Sequence, residues 1–301
     1  MPAHHGILNP LAGAPRYTIG RYPPCPALAP FVDYYWIIRW HVDEPYAQET
    51  LPHPCVHLAI GDHQAGVHGP AIARFVANLT GAGSVLGVRF HPGGFHPFYG
   101  RDIAELAGRT CTLAAIFGAA ASALEVADPS RAPLGSSRAP LGSSLAATDP
   151  SRAPSPAISG PSLAAPAALD AAWIAPVEAF LTALEPAPDP GIALATRAVA
   201  LAHADPHVAR TAELAERVEL SPRSLERLFR RYVGVSPKWV IRRFRIHEAC
   251  ERAKTGVAPG WAALATELGY FDQAHFIRDF KAQVGRTPSE YAALCGDAHT
   301  S

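Results

Sequence analysis

The chain has 301 residues, 49% of them apolar, and equal numbers of basic and acidic side chains, 26 of each. This length predicts two domains, because a domain typically holds roughly 100–200 residues, and the apolar content is sufficient for well-packed cores. The charge is unevenly distributed: residues 191–301 carry 16 Lys and Arg against 12 Asp and Glu, a net charge of +4. The rest of the chain carries −4, so we expect the C-terminal part to meet an anionic partner.

Targeting and redox signals are sparse. The N-terminal segment MPAHHGILNP lacks the basic start and apolar core of a signal peptide. The longest uncharged apolar run, 110–124, is shorter than the about 20 residues of a membrane span. The five cysteines contain no CxxC pair and predict reduced thiols. We therefore expect a cytoplasmic protein that contacts no membrane and holds no metal or cofactor.

Residues 17–100 are rich in strand-type segments. These segments are FVDYYWIIRWHV (31–42), CVHLAI (55–60), IARFVANL (72–79) and VLGVRF (85–90), with Pro and Gly turn signals between them. The pattern becomes helical at 101–108 and again at 111–127. We predict a β-rich sensing or dimerisation domain over residues 1–127.

A low-complexity segment follows at 128–168. The heptapeptide SRAPLGS occurs twice and the hexapeptide DPSRAP twice, within a stretch dominated by Pro, Ser, Ala and Gly. Such a composition buries too little apolar surface to offset its ordering entropy, so we predict a flexible linker. Helical periodicity resumes over 169–190, which predicts a connecting helix before a helical region at 191–296.

The stretch 211–234 predicts a helix-turn-helix unit. A short helix begins near Thr211, and Glu219 and Leu220 form the turn. Ser221 is a favourable N-cap for the second helix, which we expect to end at Gly234. Its apolar residues fall on one face and its charged residues on the other, as expected for a packed helix with one face exposed.

A second unit follows about fifty residues later. Residues 261–268 form another short amphipathic helix, and Asp272 is the expected cap of a new helix in which Phe276 and Phe280 face inward. FDQAHFIRDF (271–280) therefore exposes polar side chains near the helix start, where a recognition helix meets base edges. The connector 236–254, as one helix, would span roughly 28 Å and hold the units near the ~34 Å repeat of the major groove.

Positive charge is concentrated in the first unit and the connector. Between Arg223 and Arg245 there are eight basic residues and one acid, Glu226. Solvated faces usually mix signs, whereas like charges at this density repel one another unless a polyanion lies near. The run therefore favours contact with DNA phosphates.

Two long motifs carry a family resemblance. LAERVELSPRSLERLFRRYVGVSPKWVIRRFRIHEAC and LATELGYFDQAHFIRDFKAQVGRTPSEYAAL, within 191–294, resemble the DNA-binding domain of AraC/XylS-type transcriptional regulators. The resemblance implies recognition helices at about 221–233 and 272–284 that enter successive major grooves of double-stranded DNA. The DNA-binding residues implied are Arg223, Glu226, Arg227, Arg230, Arg231, Gln273, Ala274, Ile277, Arg278 and Lys281. Pro222 and Glu226 depart from a plain base-reading helix, and Glu226 either accepts from a cytosine N4 or orients Arg230.

The N-terminal region also resembles an AraC-like subgroup, on YWIIRWHVDEPYAQETLPHPCVHLAI and GVRFHPGGFHPFYG. In that subgroup a β-rich domain precedes the paired helix-turn-helix units. The resemblance implies a domain that binds a small-molecule effector, forms a homodimer, or does both, and RNA polymerase as a partner. Candidate effector-binding residues are Tyr35, Trp36, Trp40 and His57, although large aromatics in a strand more often belong to the core.

Alternating histidines leave two alternatives open. His53, Cys55 and His57 would point to one face of a strand and could form a cupin-like metal site, giving a metal- or redox-responsive regulator. Pro52 and Pro54 argue against a regular strand there. The Pro54-Cys55 pair also resembles the reactive Cys of DNA-repair methyltransferases, but the accompanying Cys set is missing, so a methyl acceptor at Cys55 is the least favoured hypothesis.

The leading prediction is an α+β chain that acts as a sequence-specific transcriptional regulator and not as an enzyme. It has a β-rich N-terminal domain, for which a cupin-like fold is one candidate, and a flexible linker. An all-α C-terminal domain follows, with two helix-turn-helix units joined by a long helix. We expect an unidentified effector to act through the N-terminal domain. His91 and His96 are expected at turn and surface positions.

Overall fold

A computed structural model describes residues 6, 8, 16–61, 65–126, 165–205, 208–254 and 260–297. Most of the predicted linker, residues 128–164, lies outside this described part. The architecture combines a sheet-rich N-terminal region with a helical C-terminal region, as the sequence predicts. No helix of the described residues is both long and apolar enough to cross a membrane.

The N-terminal region is built on one antiparallel sheet. Its strands are β1 (Tyr17–Tyr22), β2 (Val32–Thr50), β3 (His57–Gly61), β4 (Gly66–His68), β5 (Phe75–Phe90) and β6 (Thr110–Cys111). They lie in the order β1-β2-β5-β3-β4-β6. Short helices close this region: α1 (His96–Tyr99), a 3-10 turn (Ile103–Leu106), α2 (Leu113–Phe117), a second 3-10 turn (Gly118–Ala121) and α3 (Ser122–Val126).

The rest of the described chain is helical. Its helices are α4 (Ala165–Ala183), α5 (Pro190–Ala204), α6 (Thr211–Arg217), α7 (Pro222–Leu228), α8 (Pro237–Lys254), α9 (Trp261–Glu267), α10 (Gln273–Val284) and α11 (Pro288–Asp297). A π-helical turn, Phe229–Val233, extends α7. The region expected to hold one connecting helix, 169–190, contains the main part of α4 and the first residue of α5, with Asp189 capping α5.

The long strands β2 and β5 dominate the sheet. The segments 72–79 and 85–90, expected as separate strands, belong largely to the single strand β5. The Gly-rich sequence between them resembles a turn, but its residues pair with β2: Gly81 lies opposite Val42 and Gly83 opposite Trp40. Because β2 extends to Thr50, it pairs with both ends of β5, with a register shift between Val42 and Tyr46.

The two faces of the sheet have different neighbours. Tyr35, Ile37 and Val88 point into the main core, which continues without a break into α4–α7 and the start of α8. Trp40 and Val85 point to the opposite face and form a smaller cluster. This division follows the period of two along a strand. As a result, the first helix-turn-helix unit shares its core with the sheet.

The second unit has its own core. Phe276 and Phe280 of α10 are fully buried against α8, α9 and α11, as the sequence predicts. Leu8 and Leu51 of the N-terminal region complete this cluster. The sheet-rich region therefore contacts both helix-turn-helix units.

Candidate nucleic-acid interface and effector cavity

The first helix-turn-helix unit consists of α6 and α7. The Ser221 hydroxyl oxygen accepts a hydrogen bond from the backbone N–H of Ser224 at 3.1 Å, which confirms the predicted cap. The turn places Glu219 at φ 59°, a conformation that non-Gly residues rarely adopt. Gly234, at φ 88°, ends the π-helical turn, also as predicted.

The second unit, α9 and α10, repeats this construction. Asp272 Oδ1 accepts from the backbone N–H of His275 at 2.6 Å, which confirms the second predicted cap. Gly269, at φ 73°, lies in the turn. Both helices that follow a turn are thus capped by a short polar side chain and present their first residues outward.

The residues predicted to contact DNA lie on the surface of both units. Nine of the ten are exposed, and Ile277 is half-buried. The apolar face of each helix lies in a core, with Leu225 and Phe229 fully buried in the first unit. Each helix therefore divides into a core face and an outer face that carries guanidinium and amide groups.

Two of these surface residues contact the N-terminal region. Arg230 Nε lies 2.9 Å from Asp102 Oδ2, and Arg231 Nε donates to His96 Nε2 at 3.1 Å. His96 is buried against Tyr232, with ring centroids 4.6 Å apart, so the expectation of a surface position for His96 is wrong. The reason is that α1 packs directly onto the first unit. Burial and the Arg231 charge lower the pKa of His96.

The connector α8 is one helix, as predicted, but three of its arginines are engaged internally. Arg243 is fully buried and donates to the carbonyl of Ile72 at 3.0 Å. Arg245 is buried and donates to the carbonyl of Val208 at 2.6 Å. Arg242 forms an ion pair with Asp279. The prediction that the whole basic run contacts phosphate is therefore wrong for Arg243 and Arg245, which are buried in the fold. Arg242 stays partly exposed beside its ion pair.

Asp279 connects α10 to the connector α8. Besides the ion pair with Arg242, its carboxylate accepts from the Tyr270 hydroxyl at 2.6 Å and from Gln283 Nε2 at 3.1 Å. Asp279 is 5% exposed, so these hydrogen bonds compensate for the loss of water around a buried charge. Burial and the bond to Asp279 raise the pKa of Tyr270 and keep its hydroxyl protonated as a donor.

A cavity of about 240 Å³ lies on the face of the sheet opposite the main core. Two of its walls are the indole rings of Trp36 and Trp40. Each ring covers a glycine on β5: Trp36 is paired with Gly87 and Trp40 with Gly83. A Cβ atom at either glycine would lie about 2.0–2.2 Å from an indole carbon. The glycines therefore allow both rings to lie flat on the sheet.

The aromatic candidates divide between the two faces. Three of the candidates, Trp36, Trp40 and His57, border the cavity. Tyr35 is fully buried in the main core and does not border the cavity, because it is one residue out of phase with Trp36 along β2. Sequence reasoning missed Arg89, which borders the cavity and donates to the Tyr34 hydroxyl at 2.9 Å.

His53, Cys55 and His57 all border the cavity but do not share a strand, because β3 begins at His57. Cys55 Sγ lies 3.3 Å from His57 Nε2, whereas the ring of His53 lies against His247 of α8, with centroids 4.7 Å apart. Within the described residues, no group of three or more His, Cys, Asp or Glu side chains is arranged to hold a metal ion.

Burial governs the protonation of the Cys55–His57 pair. It lowers the pKa of His57 to about 3, with the Arg89 and His68 charges acting in the same direction. It also raises the pKa of Cys55. A thiol held in its protonated form is a poor nucleophile, which weighs against Cys55 as a redox centre or a methyl acceptor.

A family model described as a helix-turn-helix domain matches residues 214–293, which include both units and the connector. The C-terminal region is an AraC-type helix-turn-helix domain. A second family model, described as a domain of unknown function (DUF6597), matches residues 20–112, the sheet-rich region. A domain of this type supports DNA binding in transcription regulation.

Comparisons with whole proteins add little. Two crystal structures of ToxT from Vibrio cholerae, a P21 form and one from strain O395, each show 12% identity to this chain. Their TM-scores are 0.37 and 0.36, and each alignment covers 93% of this chain and 98% of ToxT. No curated protein matches the sequence. A likeness this weak does not extend to ligands or partners.

Proposed function

We propose that this AraC-type domain recognises a specific duplex sequence by inserting two helices into successive major grooves. These are the first recognition helix, about 221–233, and the second, about 272–284. The observation that carries the proposal is the repeated unit: two capped helices, each with a buried apolar face and an exposed polar face at its start. The N-terminal residues of such a helix are the ones that reach base edges.

The ten surface residues divide into two chemical roles. Guanidinium and amide groups near the helix starts, such as Arg223, Arg227 and Gln273, suit bidentate hydrogen bonds to guanine or adenine. Ala274 and Ile277 suit apolar contacts with bases, and Glu226 suits a cytosine N4 donor. The remaining cations, Arg230, Arg231, Arg278 and Lys281, suit base or phosphate contacts.

The connector supports a fixed spacing between the two units. α8 has 18 residues and is therefore about 27 Å long, somewhat less than the ~34 Å between successive major grooves on one face of DNA. The Asp279 network attaches α10 to this helix through Arg242 and Tyr270. A helix to which both helix-turn-helix units are attached preserves the distance between them better than a flexible linker does.

We further propose that a small-molecule effector binds in the cavity and modulates DNA binding. Two contacts link the cavity walls to the DNA-binding domain. The ring of His53 lies against Phe244 and His247 of α8. Gln48 and Thr50 border the cavity, and Glu49 between them forms ion pairs with Arg74 and with Arg286, which lies between α10 and α11.

A ligand changes DNA affinity only if it favours one domain arrangement over another. In the present arrangement, Arg230 and Arg231 are held by Asp102 and His96. DNA that binds the Nε donors of these two arginines must therefore displace the N-terminal contacts first. RNA polymerase and a second copy of the chain, forming a homodimer, are the protein partners we propose.

The test is selection of bound fragments from random DNA, followed by footprinting and affinity measurements across a salt series. We expect a protected site of roughly 20 base pairs and a steep dependence of affinity on salt. Arg227→Ala and Arg278→Ala should each weaken binding by about fivefold or more, since a bidentate base contact contributes about 1–3 kcal/mol. Arg101→Ala is the matched control, because Arg101 pairs with Glu105 on the surface of the N-terminal region. Failure to enrich any sequence, or equal binding by all three variants, would contradict the proposal.

A further inference from the structure

The two helix-turn-helix units differ by one residue, and that residue is unusually exposed. Corresponding turn bonds are offset by 50 residues: Leu220 N–H donates to the Ala215 carbonyl and Tyr270 N–H to the Ala265 carbonyl, both at 2.9 Å. The caps are offset by 51 residues, Ser221 in the first unit and Asp272 in the second. The second turn therefore contains one additional residue, Phe271.

Phe271 does not contribute to the core of its unit. It is 93% exposed, the highest value among the exposed large apolar side chains of the described residues, whereas Phe276 and Phe280 are fully buried. Tyr270, immediately before it, is held by the hydrogen bond to Asp279. The insertion thus places one large apolar ring at the start of α10 while the flanking backbone keeps the geometry of the first unit.

We propose that Phe271 contacts the C5-methyl group of a thymine in the major groove read by α10. This inference rests on the proposed DNA-binding function. The C5-methyl group of thymine is an apolar feature of the major groove, and a phenyl ring is one of the side chains that recognise it. Phe271 directly precedes Asp272, Gln273 and Ala274, which lie on the exposed start of the recognition helix.

A thymine fits this position better than a protein partner does. The core of a protein interface is a patch of several apolar residues from which charged residues are depleted. Phe271 is instead a single ring next to an exposed carboxylate, Asp272, and an exposed amide, Gln273. A single ring is large enough to cover one methyl group. The first unit has no residue at this position. We therefore expect recognition of a thymine methyl group by such a ring only in the half of the DNA site that α10 contacts.

The test replaces thymines by deoxyuridine, which lacks only the methyl group. In the selected DNA site, each thymine is exchanged singly and affinity is measured for the unmodified protein, Phe271→Ala and Phe271→Leu. Burial of one methyl group predicts a loss of about fourfold for the unmodified protein at one thymine. At that position, Phe271→Leu should retain part of the preference for thymine over deoxyuridine. Phe271→Ala should bind the thymine and deoxyuridine forms with equal affinity.

Controls separate this inference from the proposed function. Leu169→Ala removes another exposed apolar side chain, far along the chain on α4, and should retain the full discrimination. Because the ring of Phe271 is exposed, Phe271→Ala should fold with an unchanged Tm. Equal affinity of the unmodified protein for every thymine and deoxyuridine pair, or unchanged discrimination by Phe271→Ala, overturns the role of Phe271. Absence of binding to any selected DNA overturns the proposed function itself.

Discussion

Arg243 offers a sharp test of which arginines contact DNA. The sequence places it within the dense basic run, yet its side chain is fully buried in α8. Its guanidinium donates once, to the Ile72 carbonyl, and lies 4.4 Å from the ring of Trp239. Within the described residues, Nε and Nη1 have no hydrogen-bond partner. Burial lowers the pKa of Arg243 to about 10, so the group remains charged near neutral pH.

Replacement by methionine should leave the fold equally stable or more stable. Two unsatisfied donors cost about 1–3 kcal/mol each, and methionine removes both. The substitution also leaves the Ile72 carbonyl without its donor, at a cost of about 1–3 kcal/mol, and removes a cation–π contact of up to about 2 kcal/mol. The balance is a change of about 0–2 kcal/mol in favour of Arg243→Met, in line with other buried charges replaced by apolar residues.

Two measurements test this reasoning. Urea unfolding should give Arg243→Met a free energy of unfolding equal to or above that of the unmodified protein. The slope of log K against log salt for DNA binding should not change in Arg243→Met. Lys281→Met should instead reduce the slope by about 0.9 if the exposed Lys281 contacts a phosphate. A slope reduced by about one in Arg243→Met, or a loss of more than about 3 kcal/mol, would refute the assignment of Arg243 as structural.

Three further substitutions test the cavity and its link to the second unit. Glu49→Gln removes the charge that pairs with Arg74 and Arg286, and both arginines are about one-third exposed and can rehydrate. We therefore expect the free energy of unfolding in urea to fall by about 1–2 kcal/mol and hydrogen exchange in α11 to become faster. Unchanged exchange in α11 would contradict the link. Gly87→Ala should displace the ring of Trp36, since its Cβ would lie about 2.0 Å from the ring, and should change tryptophan fluorescence, unlike Gly260→Ala, where the nearest side-chain atom is 4.0 Å away. The pKa of His57, lowered by burial to about 3, lies below the roughly 6.5 of the unfolded chain, so stability should fall as the pH decreases from about 6.5 toward 3; His57→Leu should show a smaller decrease in Tm over that range.

The helix-turn-helix units were predictable because their signals are local. Ser221 and Asp272 cap helices through residues only three positions away, and Gly234 ends a helix through its own φ. Amphipathic spacing then assigns each helix a buried face. The family motifs cover the same stretch, so local chemistry and resemblance give one answer.

The sequence did not predict which arginines of the basic run are engaged within the protein, because this depends on contacts between residues distant in sequence. Arg243 reaches the carbonyl of Ile72, 171 residues away, and Arg230 reaches Asp102, 128 residues away. A helix of 18 residues in a packed domain touches several neighbours, so its arginines cannot all face outward. Periodicity alone does not identify which faces are covered by the sheet-rich region.

The sequence contains a pattern that predicts the two tryptophan walls of the cavity. Trp36 and Trp40 are four residues apart, as are Gly83 and Gly87, and the antiparallel register brings each indole over one glycine. Two tryptophans on one predicted strand and two glycines at the same spacing on another are the pattern expected of indole rings that lie across a neighbouring strand. The same alternation separates Tyr35 from Trp36, so it could have removed Tyr35 from the effector candidates.

Strand alternation also explains how the cavity and the second unit are joined. Along β2, Gln48 and Thr50 border the cavity, while Glu49 between them holds Arg286 next to α10. The backbone of a paired strand cannot shift the side chains of one face without moving those of the other. A ligand that shifts the backbone of β2 at Gln48 or Thr50 would therefore also move Glu49 and its ion pair with Arg286. Because Gln48, Glu49 and Thr50 are consecutive, the proposed effector cavity and the ion pair with Arg286 lie on one short segment of β2.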